Sequence, residues 1–266
     1  MMKYGFIGAG NLAMAIMSGM VKSGAAQAEE IAIYERSMQR QVEVCEELGV
    51  TAFVSAEEIV KNTETVFFAV KPHQLADVLA ELKDALAQCK PLVVSLAAGK
   101  TIAFVEEQIG EAMPLVRVMS NVNAAVGEAM TWICGNALAT QAHKDIVLHC
   151  FNAIGKTIEI DEKYSSIYTT IGASAPAFAY LFIESLAKGA HKAGLPKAEA
   201  LEIAAQTVLG SARMMLESDK HPWELIDQVC SPGGMTIEGI CALEESRFQS
   251  AVVAAVEATI AKDRRL

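Results

Sequence analysis

Two glycine-containing segments, far apart in the chain, have residue types and spacings suited to binding anionic groups. The first, residues 5–13, places Gly8 and Gly10 directly after an apolar run and Ala13 one turn into an amphipathic stretch. In a strand–turn–helix context this spacing permits a tight turn, whose backbone N–H groups face a pyrophosphate at the positive end of the helix. The segment therefore predicts a dinucleotide-binding turn, with cofactor contacts expected from Ile7, Gly8, Ala9, Gly10, Asn11 and Leu12.

The end of the second predicted strand bears on which dinucleotide binds. Its four residues are Tyr34, Glu35, Arg36 and Ser37, all expected to contact the cofactor. Glu35 could accept hydrogen bonds from a free ribose 2′-hydroxyl, which favours NADH, whereas Arg36 and Ser37 could hold a 2′-phosphate, which favours NADPH. Two donors beside the ribose favour NADPH, with NADH as the alternative. Arg36 could also be a solvated residue at a helix start.

Two more strand ends are expected at the cofactor, because ligands of parallel sheets bind at the carboxyl ends of the strands. The first consists of Ala69, Val70, Lys71 and Pro72. The second follows Ser95 and includes Ala97, Ala98 and Gly99, whose small side chains would let a flat nicotinamide ring lie against the backbone. Helix capping accounts equally well for Ser95 and Gly99.

The second glycine-containing segment, residues 230–236, precedes an apolar pattern that predicts a helix. Consecutive small residues at a helix N-terminus leave backbone N–H groups facing outward, where they can hold a carboxylate or phosphate. Ser231 and Thr236 add hydroxyl groups. An ordinary Pro-Gly turn with Thr236 as its N-cap is the alternative.

Other chemistry-bearing patterns are missing from the sequence. It contains no paired carboxylates, no Ser/His/Asp set and no metal-ligand spacing, so no metal site is predicted. Ser174, before Pro176 at the start of a long predicted helix, is the one polar group in a run of small residues and could cap that helix. This pattern fits hydride transfer, in which the cofactor supplies the chemistry and the protein positions it.

The elements that position these residues alternate in type along the first part of the chain, which predicts βαβ units around a buried parallel sheet. Strands are predicted at residues 4–7, 31–34, 65–70, 92–96 and 115–119, and helices at 12–23, 38–48, 74–87 and 102–109. A further strand pair, 130–134 and 156–160, flanks a helix near 140–153. The fold class is α/β, with an N-terminal Rossmann-type doubly wound sheet.

From about residue 163 the strand signals stop and alanine-rich helical patterns take over, at 177–193, 197–216 and 247–264. We therefore predict an NAD(P)-binding Rossmann domain at 1–162 and an all-helical dimerisation and substrate domain at 163–266. Such apolar helices predict a homo-oligomer. Packing of the helices on one another within one chain is the alternative.

Composition limits the partners. The formal net charge is −10, so we expect neither nucleic acid nor an anionic membrane to bind. Six scattered cysteines indicate free thiols in a reducing compartment. The N-terminus resembles a signal peptide, but Gly8 and Gly10 interrupt it, and we find no other run of ~18 uninterrupted apolar residues. We expect a soluble, cytoplasmic protein.

With these residues assembled, the sequence resembles the pyrroline-5-carboxylate reductase family over essentially its whole length. Residues 5–13, 69–72 and 95–99 match, and the most specific match runs from His221-Pro222 through residues 231–237 to Leu243-Glu244. Residues 193–196 and Gln206-Thr207 also match the family at their places.

The resemblance implies reduction of 1-pyrroline-5-carboxylate to L-proline with NAD(P)H, the last step of proline biosynthesis. It also implies a Rossmann domain, a helical dimerisation domain and a dimer that is often assembled further into a decamer. Asn121 would contact the cofactor, and Thr236 and Ser174 would be catalytic, with the Thr236 hydroxyl near the ring nitrogen. The substrate would be held by Val229, Ser231, Gly233, Gly234, Met235 and Thr236.

Some positions depart from the family pattern. The segment Ser120-Asn121-Val122-Asn123 lacks the threonine and proline that the family usually has around Asn121. A Ser-Gly-Ser-Gly run of the family is replaced at Gly172, Ala173 and Ala175, and Met235 replaces a smaller residue. The departures bear on substrate range and rate rather than on fold. They leave two alternatives open, a noncatalytic NADP-binding protein and a reductase of a related cyclic imine. A β-hydroxyacid dehydrogenase would need a lysine between Pro176 and Lys188, where there is none.

Overall fold

The computed structural model describes residues 1–110 and 112–265, and the chain divides into two compact units. The first unit contains residues 1–174 and the last residues from Asp263, and the second contains Ala175–Lys262. The sequence placed the domain boundary earlier, between residues 162 and 163. Residues 163–174 belong to the first unit, where Asn121 Nδ2 donates a hydrogen bond of 2.7 Å to the carbonyl of Gly172.

An eight-stranded sheet runs through the first unit in the order β3-β2-β1-β4-β5-β6-β7-β8. Among the described strands β6 and β7 pair antiparallel, and the other neighbours are parallel. This order confirms the predicted doubly wound sheet. The strands are β1 Met2–Ile7, β2 Ile31–Tyr34, β3 Thr51–Ala52, β4 Thr63–Phe68, β5 Leu92–Ser95, β6 Leu115–Met119, β7 Ala129–Gly135 and β8 Gly155–Glu159.

Helices cover the sheet on both faces. They are α1 Asn11–Ser23, α2 Met38–Leu48, α3 Ala56–Asn62, α4 Leu75–Glu81, α5 Lys83–Cys89, α6 Ile102–Ile109 and α7 Gln141–Asn152. The sequence missed β3 and α3, because a two-residue exposed strand and a seven-residue helix carry too little periodicity to be seen. The single helix predicted over 74–87 is broken at Leu82, whose ψ of 2° separates α4 from α5.

The core has one apolar layer on each face of the sheet. On one face Phe6 and Phe67 stack with their ring centroids 4.4 Å apart, next to Phe151 of α7. On the other face Ile7 and Phe68 pack among side chains of α3 and α4. Burying each such side chain contributes roughly 1.5–3 kcal/mol. These layers hold β1 and β4 side by side and so place the carboxyl ends of both strands at one edge.

The second unit is all-helical, as predicted. Small residues bring its first two helices close together, because Ala187, Ala200 and Ala204 are buried where these helices meet. Many larger apolar side chains stay exposed, among them Leu181 at 68% and Leu216 at 81%. The helices are α9 Ala175–Lys192, α10 Lys197–Glu217, α11 Pro222–Val229, α12 Met235–Glu245 and α13 Phe248–Asp263.

A helical stretch leads from the first unit into the second. Helix α8, Ser165–Thr169, is followed by a π-helical turn, Thr170–Ser174, and then by α9. Ser174 therefore lies inside a helical run and is not the N-cap that the sequence suggested. By length and composition alone, Glu162–Lys192 is apolar enough to cross a membrane, with a mean hydropathy of 1.2 and 6% of the window buried.

One ion pair fastens the start of this stretch to the sheet. Glu162 Oε1 accepts hydrogen bonds of 2.8 Å from Arg117 Nη1 and from the Ile102 N–H. The Arg117 side chain is buried, and its guanidinium lies 5.1 Å from the ring centroid of Trp132. Because the Glu162 carboxylate accepts hydrogen bonds from both a buried cation and the N-terminus of α6, it should contribute to the stability of the fold.

Replacing Glu162 with alanine is expected to lower the free energy of unfolding by about 2 kcal/mol, because the buried Arg117 guanidinium and the Ile102 N–H lose their acceptor. The control is Lys61→Ala, which breaks an exposed i,i+4 pair with Glu57 and should change stability by less than about 0.5 kcal/mol. Urea unfolding followed by tryptophan fluorescence measures both. An unchanged midpoint for Glu162→Ala would show that the ion pair adds nothing.

Candidate functional site

The glycine turn between β1 and α1 is wedged between two neighbouring strand ends. The Gly8 N–H donates to the Tyr34 carbonyl at 2.8 Å, and the Ala69 N–H donates to the Ile7 carbonyl at 2.9 Å. Gly8 has a φ of 97°, and a Cβ built on it would lie 2.8 Å from the Ala69 carbonyl oxygen. No side chain fits there, so glycine is required by backbone conformation and space together.

Gly10 meets a different requirement. It is the N-cap of α1 with a φ of −69°, and a Cβ built on it would have no heavy atom within 4 Å among the described residues. No side chain caps the helix, so its first N–H groups face open space. An uncapped helix N-terminus beside an open backbone fits the pyrophosphate of a dinucleotide.

A cleft of about 480 Å³ opens at this turn, along the carboxyl ends of β1, β2 and β4. Nine of the predicted cofactor residues line it, namely Ile7, Gly8, Gly10, Tyr34, Glu35, Arg36, Ala69, Val70 and Lys71. The sequence missed the rest of the cleft wall, formed by Ser55, Ala56, Glu57, Gln74, Val78, Glu81 and Leu82. Part of that wall follows β3, the strand too short to be predicted.

The other predicted cofactor residues lie outside this cleft, and their contacts stay predictions. They are Ala9, Asn11, Leu12, Ser37, Pro72, Ala97, Ala98, Gly99 and Asn121. Ala97 to Gly99 follow β5, the strand beside β4, so they continue the same edge of the sheet. Asn121 follows β6, and its Oδ1 accepts from the Asn123 N–H at 3.0 Å while its Nδ2 donates to Gly172. Its amide thus ties β6 to the π-helical turn.

The middle residue of the glycine turn is held at both of its backbone polar groups. Glu35 Oε2 accepts from the Ala9 N–H at 2.9 Å, and Glu35 Oε1 accepts from the Ser37 N–H at 3.2 Å. Arg40 Nε donates to the Ala9 carbonyl at 3.2 Å. Arg40 is a residue that the sequence reasoning missed. Its signal in the sequence was its place in the first turn of α2, three residues after the N-cap Ser37.

The loop before α12 is a tight turn that leads into an uncapped helix N-terminus. Gly233 has a left-handed φ of 67°, and the Gly234 N–H donates to the Ser231 carbonyl at 2.9 Å. Gly234 is the N-cap of α12 and no side chain caps the helix. Thr236 lies in the first turn and is not the N-cap. The first N–H groups of α12 therefore remain available to a ligand.

Beside this loop, a groove of about 550 Å³ runs between α10, α11 and α12. Of the predicted substrate residues, Val229 and Thr236 line it, whereas Ser231, Gly233, Gly234 and Met235 do not. Met235 is 91% exposed. Gln206 and Thr207 of α10 line the groove as well. Ser174, the other predicted catalytic residue, is half-buried at the end of the π-helical turn in the first unit.

The described cysteines and acids form no redox or metal centre. Burial raises the pKa of the Cys134 and Cys150 thiols to about 12, which leaves them protonated and unreactive at neutral pH. Within residues 1–110 and 112–265, no three His, Cys, Asp or Glu side chains lie close enough to hold a metal ion. The arrangement can bind and align ligands, and reduction would draw on a bound coenzyme.

Comparison with known proteins covers both units. Residues 162–266 match the family model for pyrroline-5-carboxylate reductase dimerisation, and residues 3–99 match the model for coenzyme F420-dependent NADP oxidoreductase. The pyrroline-5-carboxylate reductase of Escherichia coli is 38% identical over 99% of this chain and 98% of its own length. The Arabidopsis thaliana enzyme is 40% identical over 99% and 95%.

Two solved structures agree with these sequence relatives. A pyrroline-5-carboxylate reductase from Coxiella burnetii superposes with a TM-score of 0.94 at 32% identity, covering 99% of this chain and 98% of its own. The Plasmodium falciparum pyrroline carboxylate reductase, solved with NADP bound, superposes with a TM-score of 0.87 at 32% identity, covering 99% and 97%.

Replacing each glycine of the turn with alanine should distinguish the role of Gly8 in the fold from the role of Gly10 in coenzyme binding. Gly8→Ala should destabilise the protein by about 1–3 kcal/mol, because of its left-handed φ and the Ala69 carbonyl. Gly10→Ala should keep the melting temperature within about 2 °C, yet weaken NAD(P)H binding at least about tenfold, because its Cβ takes the space of the pyrophosphate. Thermal unfolding and calorimetric titration measure the two effects. Normal coenzyme binding by Gly10→Ala would contradict this placement.

Proposed function

This chain belongs to the pyrroline-5-carboxylate reductase family, and on that premise we propose that it reduces 1-pyrroline-5-carboxylate to L-proline with NADPH or NADH. One observation carries the proposal: the chain contains both an open glycine turn and an uncapped Ser231–Thr236 loop, and such reductases match it over its full length. The first suits a dinucleotide and the second suits a small carboxylate. The reaction is the last step of proline biosynthesis.

We propose that the glycine turn and the N-terminus of α1 hold the coenzyme pyrophosphate, with Glu35, Arg36 and Lys71 along the cleft. NAD(P)H supplies the hydride that the imine carbon accepts. The protein contributes position, since two reactants held in register react as if one of them were highly concentrated. The small residues after β5 would leave room for the nicotinamide at the sheet edge.

We propose that the substrate carboxylate binds at the N-terminus of α12, with Ser231, Gly233, Gly234 and Met235 around it. Gly234 keeps the Ser231 hydroxyl close, because a Cβ at residue 234 would collide with Ser231 Oγ. The Thr236 hydroxyl would hydrogen-bond the ring nitrogen. A protonated imine nitrogen makes the neighbouring carbon electrophilic, and after hydride addition the nitrogen keeps its proton as the amine of proline. Val229 and Ser174 are proposed as further contacts.

We propose further that the chain works as a homo-oligomer in the cytoplasm, a dimer at least and a decamer of five dimers in its larger form. The match of residues 162–266 to a dimerisation family supports self-association. The exposed apolar side chains of the second unit, Leu181, Leu209, Leu216 and Val253 among them, supply the surface that such an assembly would cover.

The purified protein should consume NADPH or NADH when 1-pyrroline-5-carboxylate is added, and form one L-proline for each coenzyme oxidised. The loss of nicotinamide absorbance measures hydride transfer, and chromatography measures proline. Coenzyme alone should show no loss. Tight coenzyme binding without turnover of any cyclic imine would refute the proposal and favour a noncatalytic dinucleotide-binding protein.

Thr236→Ala should lower kcat/KM for the imine about tenfold or more, because a hydrogen bond to the reacting nitrogen is lost. The coenzyme dissociation constant should not change, and Thr236→Ser should restore most of the rate. Thr259→Ala is the control, since it removes the same atoms where the hydroxyl donates to the Ala255 carbonyl inside α13. Full activity of Thr236→Ala would remove this hydroxyl from the mechanism.

A further inference from the structure

We infer that Glu35 makes this chain prefer NADH over NADPH. The inference rests on the proposed function and deepens it, because it specifies which coenzyme the cleft accepts. Glu35 directly follows β2, and in doubly wound sheets an acidic residue near this position meets the adenosine ribose. Its side chain is half-buried and lines the cleft.

The Glu35 carboxylate is fixed in a pose suited to a ribose diol. One oxygen accepts from the Ala9 N–H at 2.9 Å and the other from the Ser37 N–H at 3.2 Å. An ionised carboxylate has about four acceptor positions, so roughly one on each oxygen stays free. Two adjacent hydroxyl groups can fill both. A 2′-phosphate has no proton to donate when fully ionised, and it brings negative charge against a negative group.

Moving Glu35 aside to admit a phosphate would break both hydrogen bonds. Ala9 has no exposed surface, so its N–H would lose its acceptor in a buried position. The same residue is held at its carbonyl by Arg40, so the turn could not easily reorient to find another partner. NADPH would therefore meet a carboxylate that resists displacement.

The groups expected to hold a 2′-phosphate are engaged elsewhere or unfixed. The Ser37 N–H is taken by Glu35, and the Ser37 hydroxyl accepts from the Arg40 N–H as the cap of α2. Arg40 divides its guanidinium between the Ala9 carbonyl and Glu43 Oε2 at 3.3 Å. Arg36 lines the cleft, but it is exposed, and no hydrogen bond or ion pair fixes it within the described part of the chain.

The other charged side chains that line the cleft are less firmly placed than Glu35. Glu57, at the start of α3, also lines the cleft, and its Oε1 lies 2.6 Å from Lys61 Nζ in an exposed ion pair. Glu35 is held by two hydrogen bonds, whereas Arg36 and Lys71, the cations that line the cleft, are exposed. A preorganised acceptor favours a ligand more than a side chain that must first be ordered. This balance favours the NADH alternative over the NADPH preference expected from Arg36.

Calorimetric titration with NAD+ and NADP+ tests the inference without turnover. The unmodified protein should bind NAD+ more tightly, and Glu35→Gln should shift the ratio of the two dissociation constants toward NADP+ by about tenfold or more, because the repelling charge is gone. Glu47→Gln is the matched control: it removes the same charge from an exposed position on α2 outside the cleft. The ratio should then stay within about twofold. Arg36→Ala should move it less than Glu35→Gln.

Tighter binding of NADP+ by the unmodified protein would overturn the inference, and so would a Glu35→Gln effect that is equal for both coenzymes or smaller than that of Arg36→Ala. The first of these readouts needs no variant, so it does not depend on how well Glu35→Gln folds. Failure of the proposed function would look different. The protein would then bind NAD+ with the expected preference and still turn over no cyclic imine.

Discussion

The carboxyl edge of the sheet is closed by two backbone hydrogen bonds, and the coenzyme cleft depends on them. Gly8 donates to Tyr34 and Ala69 donates to Ile7, so the ends of β1, β2 and β4 form one seam. Gly8 fits into that seam because it has no side chain to strike the Ala69 carbonyl. The positions of the α1 N-terminus, of Glu35 and of Val70 all follow from this seam, since each lies one to three residues beyond it.

The helical unit obeys a different constraint, which is packing by small residues. Alanines at 187, 200 and 204 let α9 and α10 approach closely, yet they bury little apolar surface. Many longer side chains of the same helices, Leu181 and Leu216 among them, face outward. A unit built in this way leaves apolar surface for another chain to cover, and self-association becomes part of its stability. Of these two helices, α10 also borders the groove that Thr236 lines, so apolar packing and the proposed substrate site share this helix.

The sequence was most informative where a function needs a local backbone shape. The glycine turn and the loop around Ser231 are contiguous segments of small residues, whose conformations depend on neighbours in sequence and could be predicted. The contacts of Ala9 with Glu35 and Arg40 could not be predicted. These partners follow Ala9 by 26 and 31 positions in the sequence and meet it only through the register of β1 with β2. The part of the cleft wall that follows β3 was missed because β3 has only two residues, both exposed, and so shows no periodicity in the sequence. Ser174 looked like a helix cap because a π-helical turn leaves no mark in the sequence.

Coenzyme choice and turn geometry are coupled through Ala9. Its N–H donates to the Glu35 carboxylate and its carbonyl accepts from the Arg40 guanidinium. One residue of the glycine turn is therefore held both from the end of β2 and from α2. In many dinucleotide sites the acid after the second strand selects the ribose. Here it also satisfies a buried N–H, so removing it altogether would loosen the pyrophosphate turn along with the selectivity. Glutamine at position 35 can still accept one of the two hydrogen bonds but has no charge. The Glu35→Gln variant therefore tests the effect of the charge while keeping part of the support for the turn. The selectivity of this cleft is thus a consequence of how the turn is built.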